Sequence, residues 1–348
     1  MEKILIIRII RRDNIGDLIL TTPLLTALRQ RWPQARLDAL VNSYNAPVLA
    51  RHPALNHVYC YTKGKHRLAG QSLWGAYWGK VQLLWQLRQV GYDAVVLAQS
   101  GYAGRALGLA HWIAPGKTLG FAGAQPDRRL TTALPVPTEP CHHVEALWPL
   151  AQALGVATPP DKTTLYPDPA LVTEYQKTLL TGYDAKRPVV GVHISARKPS
   201  QRWPVKHFIE LITSLCVEHE VAVHLFWSPG SNQDKRHPGD DDKARQILDA
   251  VSELPVRACP TQHLEQLFAG LALCDSVICS DGGAMHVAAA LEKPIVCFFG
   301  QSDVTHWRPW KVSHRVLQAS SHEAQDIPVA MCLSAWRQLM PSLAETAA

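Results

Sequence analysis

The residue near the amino terminus whose type most suggests chemistry is a carboxylate, Asp17, which directly follows Gly16 in the stretch RIIRRDNIGDLILTTPLL. An apolar run precedes it and a helical pattern follows. Dinucleotide-binding proteins place G-x-G-x-x-G at this turn and end the second strand with an acidic residue. This chain has one glycine here, and its second strand ends at LVNSYN. Because a carboxylate repels phosphate, the turn either serves another chemistry or uses Asp17 as a helix N-cap.

A second candidate site lies in SDGGAMHVAAAL, where a strand is followed by two glycines and a helix. Gly282 and Gly283 let backbone N–H groups approach a ligand closely, and a helix amino terminus favours an anion. His286, in the first turns of this helix, could donate a hydrogen bond to phosphate. The pattern predicts a diphosphate seat; the alternative interpretation is an ordinary tight turn with a core histidine.

A third candidate is the basic loop SARKPSQRWP, which begins at Ser195. Arg197, Lys198 and Arg202 crowd a loop that joins a strand to a helix. Cations at this position can neutralise a leaving diphosphate. A solvated basic loop is the alternative, and the position after a strand favours the functional interpretation.

Three further stretches have two open interpretations each. GDDDKA could hold a divalent cation, although we interpret it as an exposed helix start. LWGAYWGKVQLLWQLR has helical spacing and predicts either a core stripe or a helix that lies on a bilayer. In FGQSDVTHWRPW, Asp303, His306 and Trp307 could hold sugar hydroxyls or could belong to a surface loop.

These residues need a scaffold, and the chain supplies apolar strands that alternate with helical patterns in both halves. This alternation predicts an α/β protein with two tandem Rossmann-like, doubly wound parallel-sheet domains and a ligand cleft between them. We expect an amino-terminal domain over 1–165, a Pro- and Thr-rich linker over 166–187, a carboxy-terminal domain over 188–322 and a terminal helix over 323–348.

The composition is that of a folded globular protein, with 348 residues, 47% hydrophobic and 18% charged. The net charge of +6 favours anionic partners. The eight cysteines form no C-x-x-C pair, which indicates a reducing compartment. No run approaches the roughly 20 apolar residues of a spanning helix. We therefore expect a cytoplasmic protein, any membrane contact of which is peripheral.

Together these motifs resemble the family 9 glycosyltransferases, the bacterial lipopolysaccharide heptosyltransferases. The resemblance is carried by RRDNIGDLILTTPLLTALR, SQRWPVKHFIELI and LALCDSVICSDGGAMHVAAALEKPIVCFFGQSD, which together span nearly the whole chain. It implies the glycosyltransferase-B fold and an inverting transfer of heptose from ADP-heptose to the lipopolysaccharide inner core. It implies neither a metal nor a cofactor.

The resemblance also assigns roles to residues. It implies that Asp17 is the catalytic base that takes the acceptor hydroxyl proton, with Asn14 and Gly16 shaping its turn. Asp234 and Gln262 are weaker candidates for nucleotide contacts. The residues expected to bind the donor and its diphosphate are Ser195, Lys198, Arg202, Asp281, Gly282, Gly283 and His286.

The chain departs from the family at Gln201, where a lysine usually stands two residues before the WP pair; Lys198 or Arg202 is expected to supply the charge instead. The implied partners are a nucleotide sugar, a lipid-linked lipopolysaccharide core and the inner membrane face, without nucleic acid. Three other functions stay open. They are a nucleotide-dependent oxidoreductase or epimerase, which the missing G-x-G-x-x-G disfavours, a non-catalytic binding module, and transfer of another sugar or to another acceptor.

Overall fold

The computed structural model describes residues 3–7, 14–61, 73–114, 116, 118–182, 187–231, 233 and 239–340. The chain divides into two compact units, Met1–Thr163 and Thr164–Ala348. Each unit contains a six-stranded sheet in which neighbouring strands are parallel.

The first sheet has the strand order β3-β2-β1-β4-β5-β6. This is the order of dinucleotide-binding folds, which reverses between the strands β1 and β4. A core of buried side chains lies beneath α3, α4 and β4, including Leu87, Val95 and Leu107. The strands are β1 Lys3–Ile7, β2 Arg36–Asn42, β3 His57–Tyr61, β4 Ala94–Leu97, β5 Thr118–Phe121 and β6 Thr132–Leu134, and the helices are α1 Ile15–Ile19, α2 Thr22–Arg31, α3 Leu73–Val90, α4 Gly104–Ile113 and α5 His143–Ala153.

The second sheet repeats the same order, as β12-β11-β10-β7-β8-β9, with its reversal between β10 and β7. Trp203, Phe208 and Phe298 lie in its core. The strands are β7 Val189–His193, β8 Ala222–Trp227, β9 Val256–Pro260, β10 Ser276–Ser280, β11 Ile295–Phe299 and β12 His314–Gln318, and the helices are α6 Pro169–Leu179, α7 Val205–Glu218, α8 Asp241–Ala250, α9 Leu264–Ala272, α10 Gly283–Ala290, α11 Val304–Trp307 and α12 Val329–Leu339.

Two segments at the borders of the second unit, expected as a linker and a separate terminal helix, both belong to that unit. The stretch 166–187, expected to be a linker, contains α6, whose side packs against α9. The terminal segment 323–348 contains α12, which packs on α7, on the edge strand β12 and on its neighbour β11. Trp336 of α12 is fully buried and donates its Nε1–H to Ser276 Oγ at 3.0 Å. Both helices are therefore part of the second unit.

The single helix expected after Asp17 is divided into α1 and α2. Pro23 lies in the first turn of α2, where its missing N–H costs no hydrogen bond. The Thr21 and Thr22 hydroxyls donate to the carbonyls of Asp17 and Ile19, at 2.9 and 2.7 Å, and so satisfy the end of α1. The break leaves α1 as a short element that carries Asp17.

Over the described part of the chain, none of the helices combines the length and the apolarity needed to cross a bilayer.

Candidate functional site

The residues expected to seat a diphosphate lie where β10 ends and α10 begins. β10 is buried along its whole length, and α10 starts at Gly283 with Gly282 as its N-cap. The first N–H groups of a helix have no intrahelical acceptor and carry a partial positive charge. A Cβ on Gly282 would meet nothing closer than Ser280 O at 4.0 Å, so packing within the chain does not require a glycine here. The glycine instead leaves open the space in front of the helix.

Asp281, directly before this helix, is held in a network of side chains from three loops. Gln201 Nε2 donates to Asp281 Oδ2 at 2.5 Å and lies 2.9 Å from Ser302 Oγ. Lys198 Nζ donates to the same Ser302 Oγ at 3.1 Å. Burial raises the pKa of Asp281, while hydrogen bonds from Ser302 and Gln201 and the charge of Lys198 act in the opposite direction. A serine hydroxyl has one proton and two lone pairs, so these partners use its full capacity.

The loops meet because their strands are neighbours in the sheet. The Lys198 loop follows β7, Asp281 follows β10 and Ser302 follows β11, and the order reverses between β10 and β7. Ligands of doubly wound sheets bind at such a reversal, outside the carboxyl ends of the strands. The sequence prediction that these two motifs share one site is consistent with this arrangement. Ser302 was missed as a site residue, although its position after the strand beside β10 could have indicated it.

Gly300, directly after β11, allows the loop that carries Ser200 to pack closely against the end of this strand. A Cβ on Gly300 would lie 2.3 Å from the Ser200 carbonyl oxygen, which no real contact permits. From the other side, Ser280 Oγ donates to the Gln201 carbonyl at 2.7 Å. The short 3₁₀ turn Pro199–Gln201 is therefore clamped between the ends of β10 and β11.

Trp203 anchors the other end of the basic loop. Its ring is 1% exposed, stacks on Phe298 at a centroid distance of 4.5 Å, and donates Nε1–H to the Ile327 carbonyl at 2.9 Å. Lys243 of α8 donates to the carbonyls of Ile194 and Trp203 at 2.9 and 3.1 Å. Burial lowers the pKa of Lys243 to about 8. The sequence indicated no role for this lysine, because it lies inside an acidic run.

Lys198, and not Arg202, reaches the Asp281 network. Arg202 Nε donates to the Ala196 carbonyl of its own loop at 3.2 Å, and the arginine charge acts on Lys243 instead. The Ser195 hydroxyl accepts from the Ser228 N–H at 2.9 Å, which joins the ends of β7 and β8. The question of which cation stands near Gln201 is thus answered by geometry.

Of the residues after β11 that could hold sugar hydroxyls, Asp303 has a structural role. Asp303 Oδ1 accepts from the Thr305 N–H at 2.8 Å and so caps α11. Trp307 lies edge-on to His286, at a centroid distance of 6.4 Å, and edge-on to His306, at 4.6 Å. His286 is 4% exposed and lies one turn inside α10. The structure therefore places Trp307 beside His286, at the start of α10, and uses Asp303 as a cap.

The acidic run GDDDKA begins α8, as interpreted from sequence. Asp241 accepts from Trp227 Nε1 at 2.7 Å and from the Gly230 N–H at 2.9 Å. Its oxygens thus hold the loop after β8 in place. Among the described residues, no group of three His, Cys, Asp or Glu side chains is placed to bind a metal ion.

The two weaker candidates for nucleotide contacts are Gln262 and Asp234. Gln262 is exposed in the loop after β9, and its backbone N–H donates to Gln266 Oε1 at 2.8 Å. Asp234 lies outside the described residues.

In the first unit, Asp17 occupies the third position of α1. The N-cap is Asn14, so the N-cap interpretation of Asp17 is wrong. Ile15, Leu18 and Ile19 turn into the core, which leaves Asp17 on the half-exposed side of the helix. The turn is held by Asn45 Nδ2, which lies 3.4 Å from the Asn14 carbonyl. A carboxylate in a first helical turn interacts favourably with the helix dipole.

Two doubly wound sheets in tandem, with a glycine-led helix start at the strand-order reversal of the second, are the architecture of the glycosyltransferase-B class. The profile of glycosyltransferase family 9 (heptosyltransferase) matches residues 81–331. The chain is 26% identical over 323 residues to lipopolysaccharide heptosyltransferase 2 of Salmonella typhimurium, covering 87% of this chain and 85% of that protein.

Solved structures agree on the fold. A family 9 glycosyltransferase from Veillonella parvula superposes with a TM-score of 0.81 at 18% identity, over 98% of this chain and 97% of the other. The E. coli ADP-heptose lipopolysaccharide heptosyltransferase II superposes with a TM-score of 0.77 at 23% identity, over 99% and 100%. The chain belongs to glycosyltransferase family 9 and is a glycosyltransferase.

Proposed function

We propose that this protein transfers a heptose from ADP-heptose to the inner core of lipopolysaccharide, with inversion at the anomeric carbon and without a metal ion or cofactor. Membership of the family and the names of its relatives support the sugar and the acceptor. The observation that carries the proposal is the network of Lys198, Gln201, Asp281 and Ser302 beside the amino terminus of α10.

On the donor side, the ADP diphosphate binds at the start of α10. Negative charge develops on the leaving diphosphate as the glycosidic bond breaks, and preorganised donors at that point stabilise the transition state. Lys198, the first N–H groups of α10 and His286 supply this stabilisation. Together they stabilise the charge of the leaving diphosphate without a divalent cation.

On the acceptor side, Asp17 is the general base. The acceptor oxygen forms a bond to the anomeric carbon while the bond from that carbon to the diphosphate oxygen breaks. The hydroxyl proton passes to Asp17, and ADP leaves with the electron pair of the broken bond. Because the nucleophile attacks opposite the leaving group, the configuration inverts.

The partners follow from this reaction. The donor is a nucleotide sugar, and the acceptor is a lipid-linked core at the inner face of the cytoplasmic membrane. The protein then works in the cytoplasm, peripherally at that membrane. Nucleic acid has no part in the reaction.

The test replaces the base. We expect Asp17→Asn to lower kcat for heptose transfer by about 100-fold or more, the scale of general-base catalysis, while ADP binding stays near the wild-type value. Calorimetric titration with ADP and a transfer assay with heptose-deficient lipopolysaccharide measure the two quantities. Glu174→Gln, on the exposed side of α6, is the matched control.

Transfer by Asp17→Asn at the wild-type rate would falsify the assignment of the base. A thermal-shift screen of ADP, UDP and GDP sugars tests the donor separately, because a bound donor stabilises the folded protein by mass action. Stabilisation by a UDP sugar alone would exclude ADP-heptose as the donor.

A further inference from the structure

Two large aromatic side chains of the first unit are exposed on neighbouring helices. The exposed fraction is 58% for Trp85 on α3 and 41% for Trp112 on α4. The two helices pack together, and their inner sides bury Leu87, Leu107 and Ala110 in the core. The core is therefore complete without the tryptophans, which remain on the outer side.

Arg88 joins the two tryptophans into one surface. It lies three residues after Trp85, on the same side of α3. Its Nη1 donates to the Trp112 carbonyl, and its guanidinium carbon lies 5.6 Å from the centroid of the Trp112 ring. Arg105 and His111 of α4 are also exposed. We call Trp85, Arg88, Arg105, His111 and Trp112 the α3–α4 face.

The charge of this region is strongly one-sided. From Thr62 to Lys117 the sequence has seven lysines and arginines against one aspartate, a net charge of +6 that equals the net charge of the whole chain. Neither α3 nor α4 contains an acidic residue. The rest of the chain is thus neutral as a whole, and of these seven cations Arg88 and Arg105 are exposed on the described α3–α4 face.

We propose that the α3–α4 face binds the surface of an anionic phospholipid bilayer. Tryptophan prefers the headgroup level of a membrane, where its apolar ring and polar N–H both find favourable surroundings. The negative surface potential of the cytoplasmic leaflet attracts lysine and arginine near it. A protein partner would have to meet a face that offers it no carboxylate, whereas anionic headgroups complement it directly.

This inference rests on the proposed function, which has the protein work at the membrane, and deepens it by assigning the lipid contact to one face, which binds lipid whether or not an acceptor sugar is present. Each arginine near an anionic surface strengthens binding by about fivefold, so binding falls as salt screens the charges. The α3–α4 face should hold the enzyme at the bilayer surface without inserting a segment of the chain into the hydrocarbon core. It would raise the local concentration of enzyme around a lipid-linked acceptor.

The test is flotation of the full-length protein with vesicles that contain no lipopolysaccharide. We expect binding to phosphatidylcholine vesicles with about 30% phosphatidylglycerol, and much weaker binding to pure phosphatidylcholine. Trp85→Ser combined with Trp112→Ser should weaken binding by about tenfold, and Arg105→Gln by about fivefold. The matched control is Val217→Ser with Met331→Ser, which removes two exposed apolar side chains from the second unit.

A second readout separates this proposal from misfolding and from failure of the proposed function. The tryptophan double variant should keep the wild-type thermal midpoint and its heptose transfer to a delipidated, water-soluble core, while transfer to vesicle-embedded acceptor falls. Three results would overturn the proposal: no binding of wild type to anionic vesicles, equal binding of wild type and double variant, or a wild-type dimer that the double variant dissociates. Vesicle binding with no transfer activity would refute only the proposed function.

Discussion

Replacement of Lys198 by methionine tests the charge at the donor seat most directly. Lys198 is exposed, and its Nζ makes a 3.1 Å hydrogen bond to Ser302 Oγ. Exposed charged groups contribute little to stability, and Asp281 keeps its bond from Gln201 in the variant. We therefore expect the free energy of unfolding to change by less than about 1 kcal/mol.

The kinetic effect should be much larger, because the leaving diphosphate gains charge only as the bond breaks. Loss of one preorganised donor to such an oxyanion typically lowers kcat by about 100- to 1,000-fold. We expect kcat of Lys198→Met to fall on this scale, with a smaller change in KM for the nucleotide sugar. Steady-state kinetics with saturating acceptor gives both values, and urea unfolding gives the stability.

Arg202→Met is the matched control, because Arg202 donates its hydrogen bond to its own loop. The kcat of this variant should fall by less than about threefold. Gln201→Lys in the Lys198→Met background should recover part of the rate, because it places an ammonium group beside Asp281. Near-normal kcat in Lys198→Met, together with a 100-fold loss in Arg202→Met, would refute the reasoning from this geometry.

Three further predictions concern glycines and a buried histidine. Gly300→Ala should cost about 1–3 kcal/mol in urea unfolding, because its Cβ would lie 2.3 Å from the Ser200 carbonyl oxygen. Gly282→Ala should leave stability within about 0.5 kcal/mol but weaken ADP binding in calorimetry, and unchanged ADP affinity would argue against the seat. Burial lowers the pKa of His224 to about 4, so the unfolded chain binds its proton first and stability should fall as the pH drops from 6.5 to 4. His224→Gln should lose less stability over that range. If the free energy of unfolding falls equally with pH in the variant and in the wild type, this prediction is contradicted.

Apolar runs in the sequence, such as KILIIRII, ARLDALVN, VAVHLFW and PIVCFFG, predict the eight inner strands, whereas no such run predicts the four edge strands, β3, β6, β9 and β12. The reason is physical. Inner strands of a parallel sheet are buried on both faces and appear as apolar runs, as in the fully buried β8, β10 and β11. An edge strand such as β6, with the exposed sequence TAL, has no such pattern. Pairing with a neighbour, which the local sequence does not encode, makes it a strand.

The candidate site shows the same division between local and non-local information. The turn at Gly282 and the start of α10 could be predicted, because glycines and caps act within a few residues. The choice of Lys198 over Arg202 could not be predicted. It depends on where Ser302 lies, about a hundred residues further along the chain. The N-cap at Asn14 was also missed, because asparagine and aspartate are almost equally good caps.

The two sheets have one strand order, yet the chain that follows the first strand carries the opposite charge in each. After β1, α1 carries the half-exposed acid Asp17, whereas the loop after β7 carries Lys198 next to a second loop that opens a helix amino terminus. An acid repels a diphosphate and suits a neutral hydroxyl that must lose a proton. A cation beside helix N–H groups suits the anion that leaves. In the proposed function, the division of labour between acceptor and donor thus follows from the sign of one side chain that comes after the first strand of a repeated scaffold.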